Sequence, residues 1–310
     1  MSDLLTPVFI SAFIAAAIAG AMPLLLAAVG ETVGEQSGVL NLGIEGMMLI
    51  GAYAGYVVAL NTHSVSLGML GGGVAGALIS LVLMILSVWF GLNQIVIGIA
   101  ITLAGVGSTT VLYNQIYSQT APRVDAEPLA IPGLSSIPVI GESVFSQPGA
   151  FWVGLALAGV VAWVLARTNW GLSVKAAGQK PSSLDAAGGS VMKTRSQAVL
   201  VGGIFAGLGG AYLSVVETSA FTAHMTNGLG YVAIIVTMLS RGRILWVALV
   251  SFAYGLSIAV GTAIQLTGLD IPTDFVSMLP YVVVMILLLV FARTAYISPA
   301  LGAPYTRGAR

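Results

Sequence analysis

The chain reads as an all-α, polytopic helical membrane protein of about 8–10 spans, with discontinuous helices and an internal repeat. Three observations carry that reading. Charged residues make up 7% of the 310 residues and hydrophobic ones 57%, against about 25% charged in soluble domains. Mean hydropathy is +1.00, so this composition cannot furnish a water-facing surface for the whole chain. Nine apolar runs recur, at 7–29, 40–60, 67–90, 92–112, 150–166, 197–216, 228–239, 244–264 and 275–291. Most approach the roughly 20 residues that a bilayer-crossing helix needs, and two fall short. The 39 glycines suit helices that pack closely in lipid, where small residues take over from the hydrophobic drive.

The same composition excludes several functions. Net charge is zero, which leaves a nucleic-acid partner without electrostatic support. There are no cysteines and only two histidines, His63 and His224, so disulfides are excluded and a dedicated transition-metal site is not expected. No basic n-region precedes the first apolar run, which reads as a span rather than a cleavable signal. The chain lacks a Gly-x-x-x-x-Gly-Lys-Ser/Thr loop, a His-Glu-x-x-His pair and a Gly-x-Ser-x-Gly elbow. No catalytic residue, metal or cofactor is therefore assigned to this polypeptide.

Taken in order, the first run is followed by Gly30-Glu-Thr-Val-Gly-Glu-Gln-Ser37, which reads either as a cytoplasmic turn or as a break within the membrane. Next comes Gly38-Val-Leu-Asn-Leu-Gly-Ile-Glu-Gly-Met-Met-Leu-Ile-Gly-Ala52. It is apolar enough to enter a bilayer, yet it holds Asn41 and Glu45. A charged group at the bilayer centre costs about 2.5–3.5 kcal/mol on insertion scales, and glycines allow a helix to break where it lines a cavity. The stretch reads as a discontinuous helix beside a solute path, with Asn41, Gly43, Glu45 and Gly46 on that path. The plainer alternative has Glu45 snorkelling or capping near an interface. Met47 and Met48 read as packing, His63 as a solvated turn residue, and Asn93 and Gln94 as polar groups opening a helix.

Loop 113–149 carries prolines at 122, 128, 132, 138 and 148 and is expected to be an ordered outer surface. It holds one base, Arg123, against Asp125, Glu127 and Glu142. Loop 167–196 holds Arg167, Lys175, Lys180, Lys193 and Arg195 against Asp185 alone. Cytoplasmic loops are rich in Lys and Arg, so loop 167–196, the Arg241–Arg243 turn and the C-terminus face the cytoplasm. Loop 113–149 faces outside, and nine spans put the N-terminus outside as well. Trp152, Trp163, Trp170 and Trp246 lie near span ends, as interfacial anchors do. Glu217 ends the sixth run as an exposed outer carboxylate, and His224 lies on the same side, from which it could reach the mouth of the path.

Asn41-Leu-Gly-Ile-Glu-Gly in the first half is echoed by Asn227-Gly-Leu-Gly-Tyr-Val in the second. Paired glycine-interrupted segments point to a midplane binding site in repeat-built transporters, which adds Asn227, Gly228 and Tyr231 to the path. In the cytoplasmic loop, Pro181-Ser-Ser-Leu-Asp-Ala-Ala-Gly188 has proline at the start and glycine at the stop of a short helix. So short a helix needs a partner surface to hold it.

With these segments in view, the chain resembles the permease subunits of type II ATP-binding-cassette importers, in the branch that handles simple sugars and nucleosides. The carriers, in order, are the 38–52 stretch, Ile131-Pro-Gly-Leu-Ser-Ser-Ile-Pro-Val-Ile-Gly141, 171–188, Ala206-Gly-Leu-Gly-Gly-Ala211 and 227–239. The resemblance covers almost the whole chain as a single transmembrane permease domain, 1–310. It implies that 175–188 is the coupling loop, with Lys175, Ala177, Gly178, Pro181, Asp185, Ala186 and Gly188 fitting a cleft on a cytoplasmic ABC ATPase. Lys175 stands where the family more often has Arg, Gln179 where it often has Glu, and Arg241-Gly-Arg243 departs from the family's commoner Gly-and-Trp turn.

The resemblance further implies a multi-pass protein of the bacterial cytoplasmic (inner) membrane, embedded in its lipid. Its partners would be a second permease (a paralogue or itself) and an extracytoplasmic solute-binding protein or lipoprotein of the basic-membrane-protein type. ATP and Mg would be bound by the ATPase. The expected cargo is a small polar solute, a nucleoside or a simple sugar. The alternative is an ion-coupled secondary transporter working alone through Glu45, Glu31 or Glu35. An intramembrane enzyme lacks a visible nucleophile and base pair, and the polar breaks argue against a mere scaffold.

Overall fold

The computed structural model describes residues 6–117, 122–124, 126, 129, 135, 137–266, 272–291 and 297–306. Twelve helices are present among them: α1 (Pro7–Gln36), α2 (Ile44–Thr62), α3 (Val65–Leu83), α4 (Gln94–Ile116), α5 (Ile140–Val144), α6 (Gly149–Arg167), α7 (Asn169–Gln179), α8 (Pro181–Ala186), α9 (Val191–Ala211), α10 (Leu229–Leu239), α11 (Ile244–Leu266) and α12 (Thr273–Phe291). Two of them widen into a π turn at their ends, α3 over Met84–Trp89 and α9 over Tyr212–Glu217. Among the described residues, eight helices are long and apolar enough to cross a membrane, and α10 is a shorter apolar helix. The architecture is all-α and polytopic, with interrupted helices in both halves.

The 30 residues of α1 span about 45 Å at 1.5 Å per residue, longer than a hydrocarbon core of about 30 Å. Near its start Ser11 donates to Glu142 of α5 (2.8 Å), and at its end Gln36 donates to the Gly242 carbonyl (2.6 Å). α1 thus reaches from the 113–149 side to the basic Arg241–Arg243 side. The segment after the first run is neither a turn nor a break: the helix continues through it to Gln36. Glu31 and Glu35 are one turn apart and buried. The interruption comes later, at 37–43, because Gly38 (φ 88°) takes the left-handed conformation that ends a helix.

The centre of the bundle is α9, which lies against α1, α2 and α3. Its contact with α3 is made by glycines four residues apart. A Cβ at Gly76 would land on the Gly203 carbonyl, and one at Gly207 on the Gly72 carbonyl. Side chains are absent there so that the backbones can touch, the small-xxx-small pattern of membrane helices. α9 begins at Val191, six residues before its apolar run, because Ser190 caps it by accepting from Lys193 N (3.3 Å). Arg195 is therefore on a helix and 3% exposed, not a loop cation.

Other expectations resolve one by one. α8 starts on Pro181 and is followed by Gly188 at φ 82°, as its proline and glycine predict. Gly178 lies inside α7, packed on the Gln36 carbonyl. Glu217 is not an open surface carboxylate: its Oε2 is shielded and has no hydrogen-bond partner, and its Oε1 is directed toward Gly20 of α1. His63 is exposed at the left-handed end of α2 (φ 51°), and His224 is exposed too (φ 63°). Met47 and Met48 are fully buried. Of the expected order in the proline-rich loop, Pro128 and Pro132 lie outside the described residues. Pro122 accepts from the Tyr56 hydroxyl (2.7 Å), and Val124 N donates to the Ser219 carbonyl (2.9 Å). Trp163 and Trp246 are exposed, whereas Trp152 stacks on Phe145 and Trp170 donates to Gln197 (2.7 Å).

Candidate translocation site and coupling surface

The two glycine-interrupted segments meet. Glu45, in the first turn of α2, places its carboxyl on the start of α10. Its Oε1 accepts from Thr226 Oγ1 (2.6 Å) and Gly228 N (2.8 Å), and its Oε2 from Gly230 N (2.7 Å). The first N–H groups of a helix have no partner within it and carry the positive end of its dipole. A carboxylate is the acceptor that suits both. The junction depends on local backbone: Gly228 sits at φ 83°, and a Cβ on Gly230 would lie 2.6 Å from Glu45 N. α10 has 11 residues, or about 16 Å of rise, and ends one residue short of Ser240 and the basic Arg241–Arg243 turn. That rise is about half the thickness of a hydrocarbon core of some 30 Å.

Asn227 and Tyr231 face outward from this junction, exposed one turn apart. Asn227 Nδ2 donates to the Tyr281 hydroxyl (3.1 Å), which in turn donates to the Asn227 carbonyl (2.7 Å). Gly43 and Gly46 face the other way, onto α4: a Cβ at Gly43 would lie 3.1 Å from Ile101, and one at Gly46 2.6 Å from the Ile101 carbonyl. Asn41 is buried and bonds through its own chain. Its N–H donates to Glu31 (3.4 Å) and its Nδ2 to the Met47 sulfur (3.4 Å), while its Oδ1 has no partner. Of the predicted path residues, then, Asn227 and Tyr231 present surface, Glu45 and Gly228 make the junction, and Asn41, Gly43 and Gly46 shape the break behind it.

Two contributors escaped the sequence reading. Gln94 is 4% exposed and accepts from Leu40 N (2.8 Å), so it pins the break rather than merely opening α4. Tyr281 lies on α12, far along the chain, and no local pattern marks it. Glu31 and Glu35 differ from Glu45. Each has an Oε2 without a partner, and Glu35 lines a water-sized cavity with Gln36, Thr237, Gly242 and Ser298. Among the described residues, no group of three or more His, Asp or Glu could hold a metal ion.

A family model described as the permease component of the branched-chain amino acid transport system matches residues 13–289. The chain belongs to that permease family. It is 32% identical to the guanosine ABC transporter permease protein NupQ of Bacillus subtilis, over 97% of this chain and 98% of the relative. It is 30% identical to the nucleoside ABC transporter permease protein NupC of Lactococcus lactis, over 92% and 93%. It is 35% identical to the putative glucose ABC transporter permease protein TsgC13 of Haloferax volcanii, over 76% and 72%. No solved structure matches. As a permease subunit of an ATP-binding-cassette transporter it is not an enzyme; ATP hydrolysis belongs to a separate ATPase chain, and this chain's part is translocation of a small polar solute.

The permease's basic face is built by α7 and α8. Lys175 folds back to donate to the Leu165 carbonyl (2.7 Å), and Ala177 and Gly178 are buried beneath the surface. Pro181 and Asp185 are half-buried, whereas Ser182, Ser183, Ala186 and Gly188 are exposed. Leu184 turns inward onto Ala177 and Val191. The predicted docking residues therefore split into a supporting layer (Lys175, Ala177, Gly178) and an outer one (Pro181, Asp185, Ala186, Gly188).

Proposed function

We propose that the permease pairs with a second permease to enclose a path for nucleosides across the bacterial cytoplasmic membrane, as part of an importer. The observation that carries this reading is the Glu45 junction, a capped short helix with Asn227 and Tyr231 on its open side. A half-helix start directed at polar ligands is how repeat-built transporters form midplane sites. Nucleoside rather than sugar is favoured by NupQ and NupC, named for guanosine and nucleosides, which align over 92% or more of this chain, against 76% for the glucose-named TsgC13. An extracytoplasmic binding lipoprotein delivers the solute to the 113–149 side. The α7–α8 surface, from Lys175 to Gly188, docks in a cleft of the ATPase.

The test is reconstitution in vesicles with ATPase, second permease and binding protein, measuring uptake of labelled guanosine, adenosine and glucose. ATP-dependent nucleoside uptake is expected, and preferential glucose uptake would move the reading to sugars. Ala186→Arg and Ser183→Arg, both on the exposed face of α8, should block ATPase assembly without unfolding the permease; assembly retained in both removes the docking assignment. The rival, an ion-coupled carrier, draws support from the partnerless oxygens of Glu31 and Glu35. It requires uptake by the isolated chain down an ion gradient.

A further inference from the structure

Arg195 is 3% exposed, and its guanidinium donates four bonds to backbone carbonyls. Nε donates to Ser37 (3.1 Å), Nη1 to Ala303 (2.7 Å), and Nη2 to Ala177 (3.3 Å) and Ala300 (3.5 Å). These carbonyls come from three separate elements. Ser37 caps the end of α1, Ala177 lies in the last turn of α7, and Ala300 and Ala303 belong to the C-terminal segment 297–306. Carbonyls at the ends of helices are unpaired and carry the negative end of the dipole. They neutralise a buried cation without a carboxylate, and the planar five-donor fork of arginine reaches several of them at once.

The C-terminal segment ties the same elements a second time. Ala300 N donates to the Gly178 carbonyl (2.9 Å), and Gly302 N to the Gly38 carbonyl (3.0 Å). Gly38 has no room for a side chain here: a Cβ would lie 2.8 Å from Arg195 Nη2 and 3.2 Å from Gly178 Cα. From Gly38 the chain runs seven residues to Glu45, held on the way by Gln94 at Leu40 and Glu31 at Asn41. Glu45 then holds the start of α10.

We infer that Arg195 and the C-terminal segment form a strut that carries displacement of the ATPase-facing α7–α8 pair to the 37–43 break, and through it to the Glu45 junction. Arg195 is a positioning residue in this role: it touches no solute. The inference rests on the importer reading and adds to it the route by which the coupling surface reaches the path. An α7 bonded only to its neighbour α6 could tilt on the ATPase without moving the break. Bonded to Arg195, which is also bonded to Ser37, it cannot.

The experiment compares the wild-type complex, Arg195→Lys and a chain ending at residue 297, each reconstituted with ATPase, second permease and binding protein. Solute taken up per ATP hydrolysed is measured alongside assembly yield. Lysine keeps the charge and one or two of the four bonds. The expected result is assembly and ATP hydrolysis near wild type with uptake per ATP lowered about 5- to 150-fold, the usual span of a coupling interaction. The truncated chain should be uncoupled in the same sense. Wild-type uptake per ATP in Arg195→Lys overturns the strut, as does loss of assembly in both variants, which would make Arg195 a fold-stabilising group only. Absence of ATP-driven uptake in the wild-type complex would instead defeat the importer reading on which the strut rests.

Discussion

Glu45 and Glu31 are carboxyl groups of similar burial, 6% and 1% exposed, on opposite sides of the same break, yet only Glu45 has a donor for each oxygen. The difference lies in what each one faces. Glu45 meets the start of a helix, where N–H groups have no helical partner. Glu31 lies inside α1, five residues before its end, among helices whose N–H groups are already used, and it receives one long bond, from Asn41 N at 3.4 Å. A buried acid is thus structural at one site and under-satisfied at the other. What decides between the two is whether a helix begins beside it.

The largest break in that comparison is Glu45→Ala. Removing the acceptor strands the Gly228 and Gly230 N–H groups, at about 1–3 kcal/mol for each buried donor left unmade. A marked fall in the unfolding midpoint in nanodiscs and loss of ATP-driven uptake are expected; a wild-type midpoint would mean that Glu45 does not cap α10. Gly230→Ala comes next, since its Cβ would lie 2.6 Å from Glu45 N and 2.7 Å from Glu45 Cα, an overpacking that costs about 1–3 kcal/mol. Its control is Gly159→Ala, on an exposed position of α6 with nothing within 4 Å. That change should stabilise by about 0.5–1 kcal/mol through helix propensity alone, and equal effects at the two glycines would remove the close approach from the argument.

The smallest effect belongs to Glu31→Gln and Glu35→Gln. Each amide keeps the shape of the side chain, and in each case an oxygen of the original carboxyl makes no bond. Both variants should match wild type in midpoint and ATP-driven uptake. A carrier that moves ions through these groups would instead lose uptake in one of them, so this pair separates the two functional readings.

Much of the fold was legible because bilayer chemistry leaves so few choices. Runs of about 20 apolar residues become helices since nothing else satisfies a backbone in lipid, and eight of the expected runs are long helices here. Pro181 and Gly188 mark the limits of α8 for equally local reasons. From sequence the 30–37 segment reads as a turn or break because two glutamates look like the edge of a span. They stay in α1 because α1 outruns the hydrocarbon and the break that follows folds back over its end. Arg195 reads as a loop cation in the sequence because charge alone assigns it to water. Three sets of helix-end and tail carbonyls, more than 100 residues away in the case of Ala300 and Ala303, make its burial possible.

From its residues alone, this chain was committed to a bundle of membrane helices with weak points at 38–46 and 227–231, since composition and glycine spacing act locally. Tertiary structure alone decided that the two weak points lock together through Glu45, and that a buried arginine ties the cytoplasmic helices to one of them. The reason is physical: a hydrogen bond between residue 45 and residues 226, 228 and 230 depends on where separate helices start in space, and no periodicity along a single helix records that.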